Sequence, residues 1–167
     1  MKGKQVMNGQ QLSKAVWQKP SFFTAFGFGT GLSRIAPGTF GTLAALPIYA
    51  LIYQFSPLVY GLICAVLFFV GIPLCGKVAK DIGIDDYKGI VWDEVVGYLV
   101  TLYMVPPSVS TLVAAFLLFR LFDILKPPPI GWVEKKVRGG FGVMFDDLLA
   151  AIPACLILHL LIWLHLL

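Results

Sequence analysis

Apolar and polar residues alternate along this chain in long blocks, not at the short periods of a water-soluble helix or strand. Residues 43–76 are apolar and carry no charge, but Ser56-Pro57 interrupts them. Residues 77–94 are polar, with Lys77, Lys80, Asp81, Asp85, Asp86 and Lys88. Residues 95–119 are again uncharged and are interrupted by Pro106-Pro107. Residues 120–147 are polar around Pro127-Pro128-Pro129, and residues 148–167 form a last apolar run, about the 20 residues that a spanning helix needs. Proline removes a helix hydrogen bond and restricts the residue before it. The first run is therefore predicted to fold as two helices, 43–55 and 58–76, and the second as 95–105 and 108–119, each pair a hairpin. The second pair would be roughly 15–18 Å long, short of a hydrocarbon core about 30 Å thick.

A hairpin returns the chain to the side it left. The polar blocks 21–42, 77–94 and 120–147 are thus predicted to share one face, whereas single straight crossings would scatter them. Residues 21–42 are rich in Gly, Thr and aromatics with one charge, Arg34, a composition of loop or broken helix. Residues 1–20 read as a basic arm, flexible or interfacial, ending at Pro20. Its Lys2, Lys4, Lys14 and Lys19 suit an anionic, cytoplasmic membrane surface. No apolar core of signal-peptide type precedes Phe22, so no cleaved signal is expected.

Composition sharpens this picture. The 167 residues are 58% hydrophobic and 13% charged, against roughly 25% charged in a soluble domain. Such a chain cannot cover its apolar surface in water. The expected fold is all-α, a polytopic integral membrane helical bundle with proline-broken short helices, in one membrane-embedded domain over 21–167. The net charge of +4 comes from scattered or matched bases, and no aromatic set for base stacking exists, so nucleic acid is not an expected partner. Cys64, Cys75 and Cys155 lie in apolar runs without a Cys-x-x-Cys and read as small buried hydrophobes. None has the Arg six residues on that a Cys-based phosphatase loop requires.

The candidate chemistry sits where polar blocks meet apolar runs. Asp93-Glu94 opens the charge-free run 95–119, and a carboxylate near hydrocarbon needs a cation or a basic partner. Asp93 could alternatively cap a helix. Arg120, Asp123 and Lys126 recur every three residues, on one side of a helix that Pro127 stops. The alternatives are a local ion-pair ladder, or a metal-binding carboxylate between two phosphate-binding cations. Asp146-Asp147 is a second acidic pair at the start of an apolar run, behind Gly139-Gly140 and Arg138. Arg34, Thr39 and Thr42 lie in a Gly/Thr loop leading into a helix, and helix N-termini favour phosphate. That loop lacks the Walker pattern, and Gly27-Phe28-Gly29-Thr30-Gly31 lacks the βαβ setting of a Rossmann fingerprint. Asp81, Asp85 and Asp86 read as solvated surface charges. His159 and His165, on the last helix, read as packing or interfacial residues.

These stretches, GFGTGLSRIAPGTFGTLAALP, IVWDEVVG, FRLFDILKPPPIGW and GGFGVMFDDLLA, run in order from Gly27 to Ala150. The chain resembles the phosphatidylglycerophosphatase A family of bacterial membrane lipid phosphatases. The resemblance implies a Mg²⁺-dependent hydrolase of phospholipid biosynthesis in the bacterial cytoplasmic (inner) membrane, with a phospholipid substrate. Asp93, Glu94, Asp123, Asp146 and Asp147 fall on the family's acidic positions and would bind Mg²⁺. Arg120 and Lys126 fall on its basic ones and would hold phosphate, helped by Arg34, Thr39 and Thr42. Asp93, Glu94, Asp123, Arg120 and Lys126 are the expected catalytic set, on the cytoplasmic face. Attack by water with an Asp or Glu as base is the expected route. An aspartyl-phosphate route is the alternative, without the Asp-x-Asp signature of the best-known aspartyl phosphatases. A different lipid phosphate phosphatase and a non-enzymatic transporter are the competing readings. A transporter would place its acids at mid-depth, whereas here they gather at the ends of apolar runs. The oligomeric state is not encoded legibly.

Overall fold

Both proline interruptions fall between helices. In this computed structural model, which describes residues 6–85 and 87–167 without the side chains of Glu134 and Lys135, eight α-helices follow one another. Lys2, Lys4 and Asp86 lie outside the described residues. The helices are α1 (Gly9–Gln18), α2 (Pro20–Ala25), α3 (Pro37–Ile52), α4 (Pro57–Ile82), α5 (Trp92–Thr101), α6 (Val109–Leu125), α7 (Ile130–Lys136) and α8 (Gly139–Trp163).

Local chemistry explains the boundaries. Pro57 occupies the first turn of α4, where its missing N–H is not needed, and the Ser56 hydroxyl accepts from the Val59 N–H. After Pro106-Pro107, Ser108 and Thr111 form a reciprocal cap at the start of α6. Pro127 ends α6, and Lys126 takes a left-handed conformation there at φ 43°. Pro47, Pro73 and Pro153 instead lie inside α3, α4 and α8, as apolar membrane helices tolerate.

Helices α4 and α6 run on to Ile82 and Leu125, past the expected ends at 76 and 119, α5 stops at Thr101, short of 105, and two helices start much earlier than expected. The 3–10 turn Thr30–Leu32 ends the broken segment early, and α3 begins at Pro37 rather than near Leu43. Helix α8 begins at Gly139 rather than near Leu148. The glycines there fit either sharp turns or a close backbone approach, and Gly140 shows the second: it is helical, and a Cβ on it would lie 1.9 Å from the Ile72 carbonyl oxygen of α4. Residues 9–18, read as part of the arm, form α1, which buries Leu12, Ala15 and Val16 and leaves Lys14 and Trp17 exposed.

At 1.5 Å per residue, α4 and α8 are about 38–39 Å long, enough to cross hydrocarbon about 30 Å thick, while α5 is about 15 Å and does not span. Large apolar side chains face outward along Leu58, Leu62, Val66 and Phe69 of α4, Val109, Val113, Leu117 and Ile124 of α6, and Leu156, Leu160 and Trp163 of α8. Water would not tolerate so continuous an apolar exterior. The molecule is a membrane helical protein.

Short α5 is the hub, packed against α3, α4, α6 and α8. Three tyrosine hydroxyls fasten it. Tyr60 donates to the Leu99 carbonyl at 2.7 Å, Tyr98 to that of Leu112 at 2.8 Å, and Tyr49 to that of Val105 at 3.0 Å. Each satisfies a polar group that would be costly to leave unpaired in an apolar interior. The hairpins α3–α4 and α5–α6 return the chain as their proline breaks required. The N-termini of α3, α5 and α8 and the C-terminus of α6 consequently meet around one cavity.

Candidate active site

The cavity measures about 780 Å³, within the size range of small-ligand sites. From α5 come Asp93 and Glu94, from the end of α6 Arg120, Asp123 and Lys126, from α8 Asp146 and Asp147, and from α3 the backbone at Pro37 and Gly38. Residues as far apart in sequence as Pro37 and Asp147 thus line one space, as the shared-face argument requires.

Neither acidic pair is a helix cap. Val91 caps α5, so Asp93 and Glu94 lie inside its first turn, where the helix dipole favours negative charge. Arg138 caps α8, and Asp146 and Asp147 lie two turns further in, both buried. The early start of α8 carries this pair into the bundle rather than leaving it at the edge.

The acids divide by partner. Asp146 Oδ2 accepts from Lys126 Nζ at 2.7 Å. Asp123 accepts from Arg120 Nη1, which also lies 3.9 Å from Glu94 Oε1. Asp93, Glu94 and Asp147 converge, each with a carboxylate oxygen within 4.8 Å of the others'. Asp93 Oδ1, Glu94 Oε2 and Asp147 Oδ2 are buried without a hydrogen-bond partner. Burial, reinforced by Glu94, holds the Asp93 carboxyl well above the usual range. Burial, then the charge of Asp147, pushes Glu94 up to about 8. Three hard oxygen donors that repel one another and lack protein partners fit a divalent cation, and Mg²⁺ takes such carboxylates together with waters and phosphate oxygens.

Other sequence candidates stand elsewhere. Arg34, Thr39 and Thr42 do not line the cavity. Arg34 is exposed, and Thr42 is buried with its hydroxyl donating to the Gly38 carbonyl at 2.8 Å. The early start of α3 is the reason: it turns Thr42 into the core one turn beyond the cavity wall. His159 Nδ1 pairs with the Cys155 carbonyl at 2.9 Å, away from the acids. All three cysteines are free. Gly38 had no charge to draw notice in the sequence, yet a Cβ there would lie 2.3 Å from Glu94 Oε1 and 3.0 Å from Arg120 Nη1. Lys88 and Arg138 also line the cavity. Lys88 sits in a loop without periodic pattern, so its sequence position carried no signal.

A polar cavity of acids and paired cations, opening at one end of a membrane bundle, suits chemistry on a phosphate group. Comparison with known proteins gives the class, a hydrolase of phosphoric monoesters. The model of the family Phosphatidylglycerophosphatase A matches residues 23–162, and the chain belongs to this family. It is 40% identical over 148 residues to phosphatidylglycerophosphatase A of Escherichia coli (strain K12), covering 88% of this chain and 86% of that one. It is 41% identical over 148 residues to phosphatidylglycerophosphatase A of Haemophilus influenzae, covering 87% and 91%. A relative in Bacteroides thetaiotaomicron, provisionally named a phosphatidylinositol-3-phosphatase, is 36% identical over 157 residues, covering 87% and 98%. No solved structure matches the chain.

Proposed function

We propose that this protein removes the terminal phosphate of phosphatidylglycerophosphate, releasing phosphatidylglycerol and orthophosphate, with Mg²⁺ held by Asp93, Glu94 and Asp147. The observation that carries the reading is the convergence of Asp93, Glu94 and Asp147, each with a buried oxygen that has no hydrogen-bond partner, beside Arg120 and Lys126 in a chain of this family. When bound, Mg²⁺ supplies electrostatic stabilisation of the charge that develops on the phosphoryl oxygens.

The chain's own groups do the rest. Arg120 presents a planar fork to phosphoryl oxygens while Asp123 fixes its orientation. Lys126 adds a point charge and is steadied by Asp146. Gly38 leaves room for the substrate beside this pair because it has no side chain. A water oxygen bonds to phosphorus and gives its proton to one of the carboxylates. The bond from phosphorus to the glycerol oxygen breaks, and that oxygen takes up a proton. The lipid tails stay in hydrocarbon while the headgroup enters the cavity. The site faces the cytoplasm, which the lysines of α1 and of the end of α4 support.

The test is phosphate release from phosphatidylglycerophosphate in neutral-detergent micelles by purified protein, with Mg²⁺ or with chelator. Release only with Mg²⁺ is the expected result, and no release in either condition from folded protein overturns the reading. Asp123→Asn is expected to lower turnover at least about a hundredfold with its melting temperature preserved. Wild-type turnover in that variant would remove Asp123 from the site.

A further inference from the structure

Arg120 and Lys126 are committed to Asp123 and Asp146. The cavity holds two more cations, Lys88 from the loop before α5 and Arg138 from the cap of α8. Both are exposed, and among the described residues neither forms an ion pair. Asp85 is the acid that shares this outer part of the wall. The cavity therefore has a buried zone, where acids and paired cations meet, and an outer zone that among the described residues holds two bases and one acid.

Lys88 is on a fixed loop, not a loose one. The Val91 N–H donates to the Ala25 carbonyl at 2.9 Å, and the Tyr87 ring packs 5.9 Å from that of Phe26. Gly31 and Gly89 touch so closely that a Cβ on Gly31 would lie 2.0 Å from the Gly89 carbonyl oxygen. Arg138 is held by its place at the start of a 25-residue helix. Two unpaired cations on pinned backbone, within the same cavity as the acids, are arranged for a second anion.

The proposed substrate carries two phosphates, the terminal monoester and the phosphodiester that joins the headgroup to diacylglycerol. We infer that Lys88 and Arg138 bind the phosphodiester, and that they select lipids with a second phosphate beyond the one hydrolysed. The inference rests on the reaction assigned above, which puts the monoester in the buried zone. A lipid whose only phosphate is the monoester would leave both cations unused.

Product inhibition separates the two zones. Orthophosphate probes the buried zone, and phosphatidylglycerol, which keeps only the phosphodiester, probes the outer one. For Lys88→Gln with Arg138→Gln, the inhibition constant of phosphatidylglycerol is expected to rise about tenfold, the sum of two partly exposed charge contacts. That of orthophosphate is expected to stay within about twofold, which also reports an intact site. The fall in kcat/KM on phosphatidylglycerophosphate should be carried by KM. Lys77→Gln, at the same end of the molecule but outside the cavity, should change neither constant. Equal rises for both inhibitors would show a general attraction for anions, and no rise for phosphatidylglycerol would show no contact. Either result overturns the inference. Wild-type protein that releases no phosphate from phosphatidylglycerophosphate would instead overturn the reaction on which it rests.

Discussion

A single methyl group at position 38 would meet Glu94 and Arg120 together. Both side chains could swing away, so the cost of Gly38→Ala falls on geometry rather than on folding. We expect kcat/KM to drop at least about tenfold with a melting temperature close to wild type. The carboxylates make a different demand. The carboxyl of Glu94 sits near 8 in the fold against an ordinary value of 4.5. A raised acid contributes stability that is full below the unfolded value and lost as pH rises through the folded one. The metal-free protein should therefore melt lower as pH climbs from about 4.5 through about 8. Added Mg²⁺ should raise the melting temperature more at about pH 8.5 than at about pH 6. An equal shift at both would show that the cation does not bind these acids. At this scale the sequence exposed what was chemically conspicuous: acids beside hydrocarbon and cations at helical spacing. It concealed Gly38, whose role is an absence of atoms, and Lys88, whose loop has no period to place it.

Helix ends decide which side chains reach the cavity. Pro57 follows Ser56, and the doubled Pro106-Pro107 precedes Ser108; each break has a polar residue beside it that caps a new helix, so both were legible as hairpins. Pro73 and Pro153 are the same residue type inside helices. Apolar surroundings on both sides leave the backbone no better alternative than helix there. The start of α8 was hidden for a related reason. Glycine predicts a turn in isolation, but at Gly140 it permits the contact with α4. Gly140→Ala should lose about 1–3 kcal/mol through overpacking, more than the up to about 1 kcal/mol that alanine gains in a helix. Thermal unfolding in detergent would measure this, and a variant as stable as wild type would show that α4 and α8 do not pack this closely.

For the whole molecule, the arrangement of hairpins determines on which side the chemistry lies. The polar blocks share one face because two hairpins each bring the chain back, a property that hydropathy and proline position reveal together. The depth of the acids was not legible, because it depends on α8 starting before its apolar run. Lys80 stands at the site's end of the bundle and Ser110 at the start of α6, the opposite end of that helix from Arg120. Cysteines placed at these two positions should react with a membrane-impermeant reagent from opposite sides, Lys80→Cys from the cytoplasm. Labelling of both from one side would contradict the hairpin topology.

Helix α5 ends after about 15 Å, and the reaction proposed above requires the cavity at its start to draw its substrate from the lipid layer. The enzyme then meets its substrate by travel within a sheet. What governs its speed is how many substrate molecules occupy a given patch of bilayer, not how many are present per litre. Diluting the membrane with inert lipid should slow turnover even when the total amount of substrate is unchanged, while orthophosphate leaves into three dimensions and does not accumulate at the site.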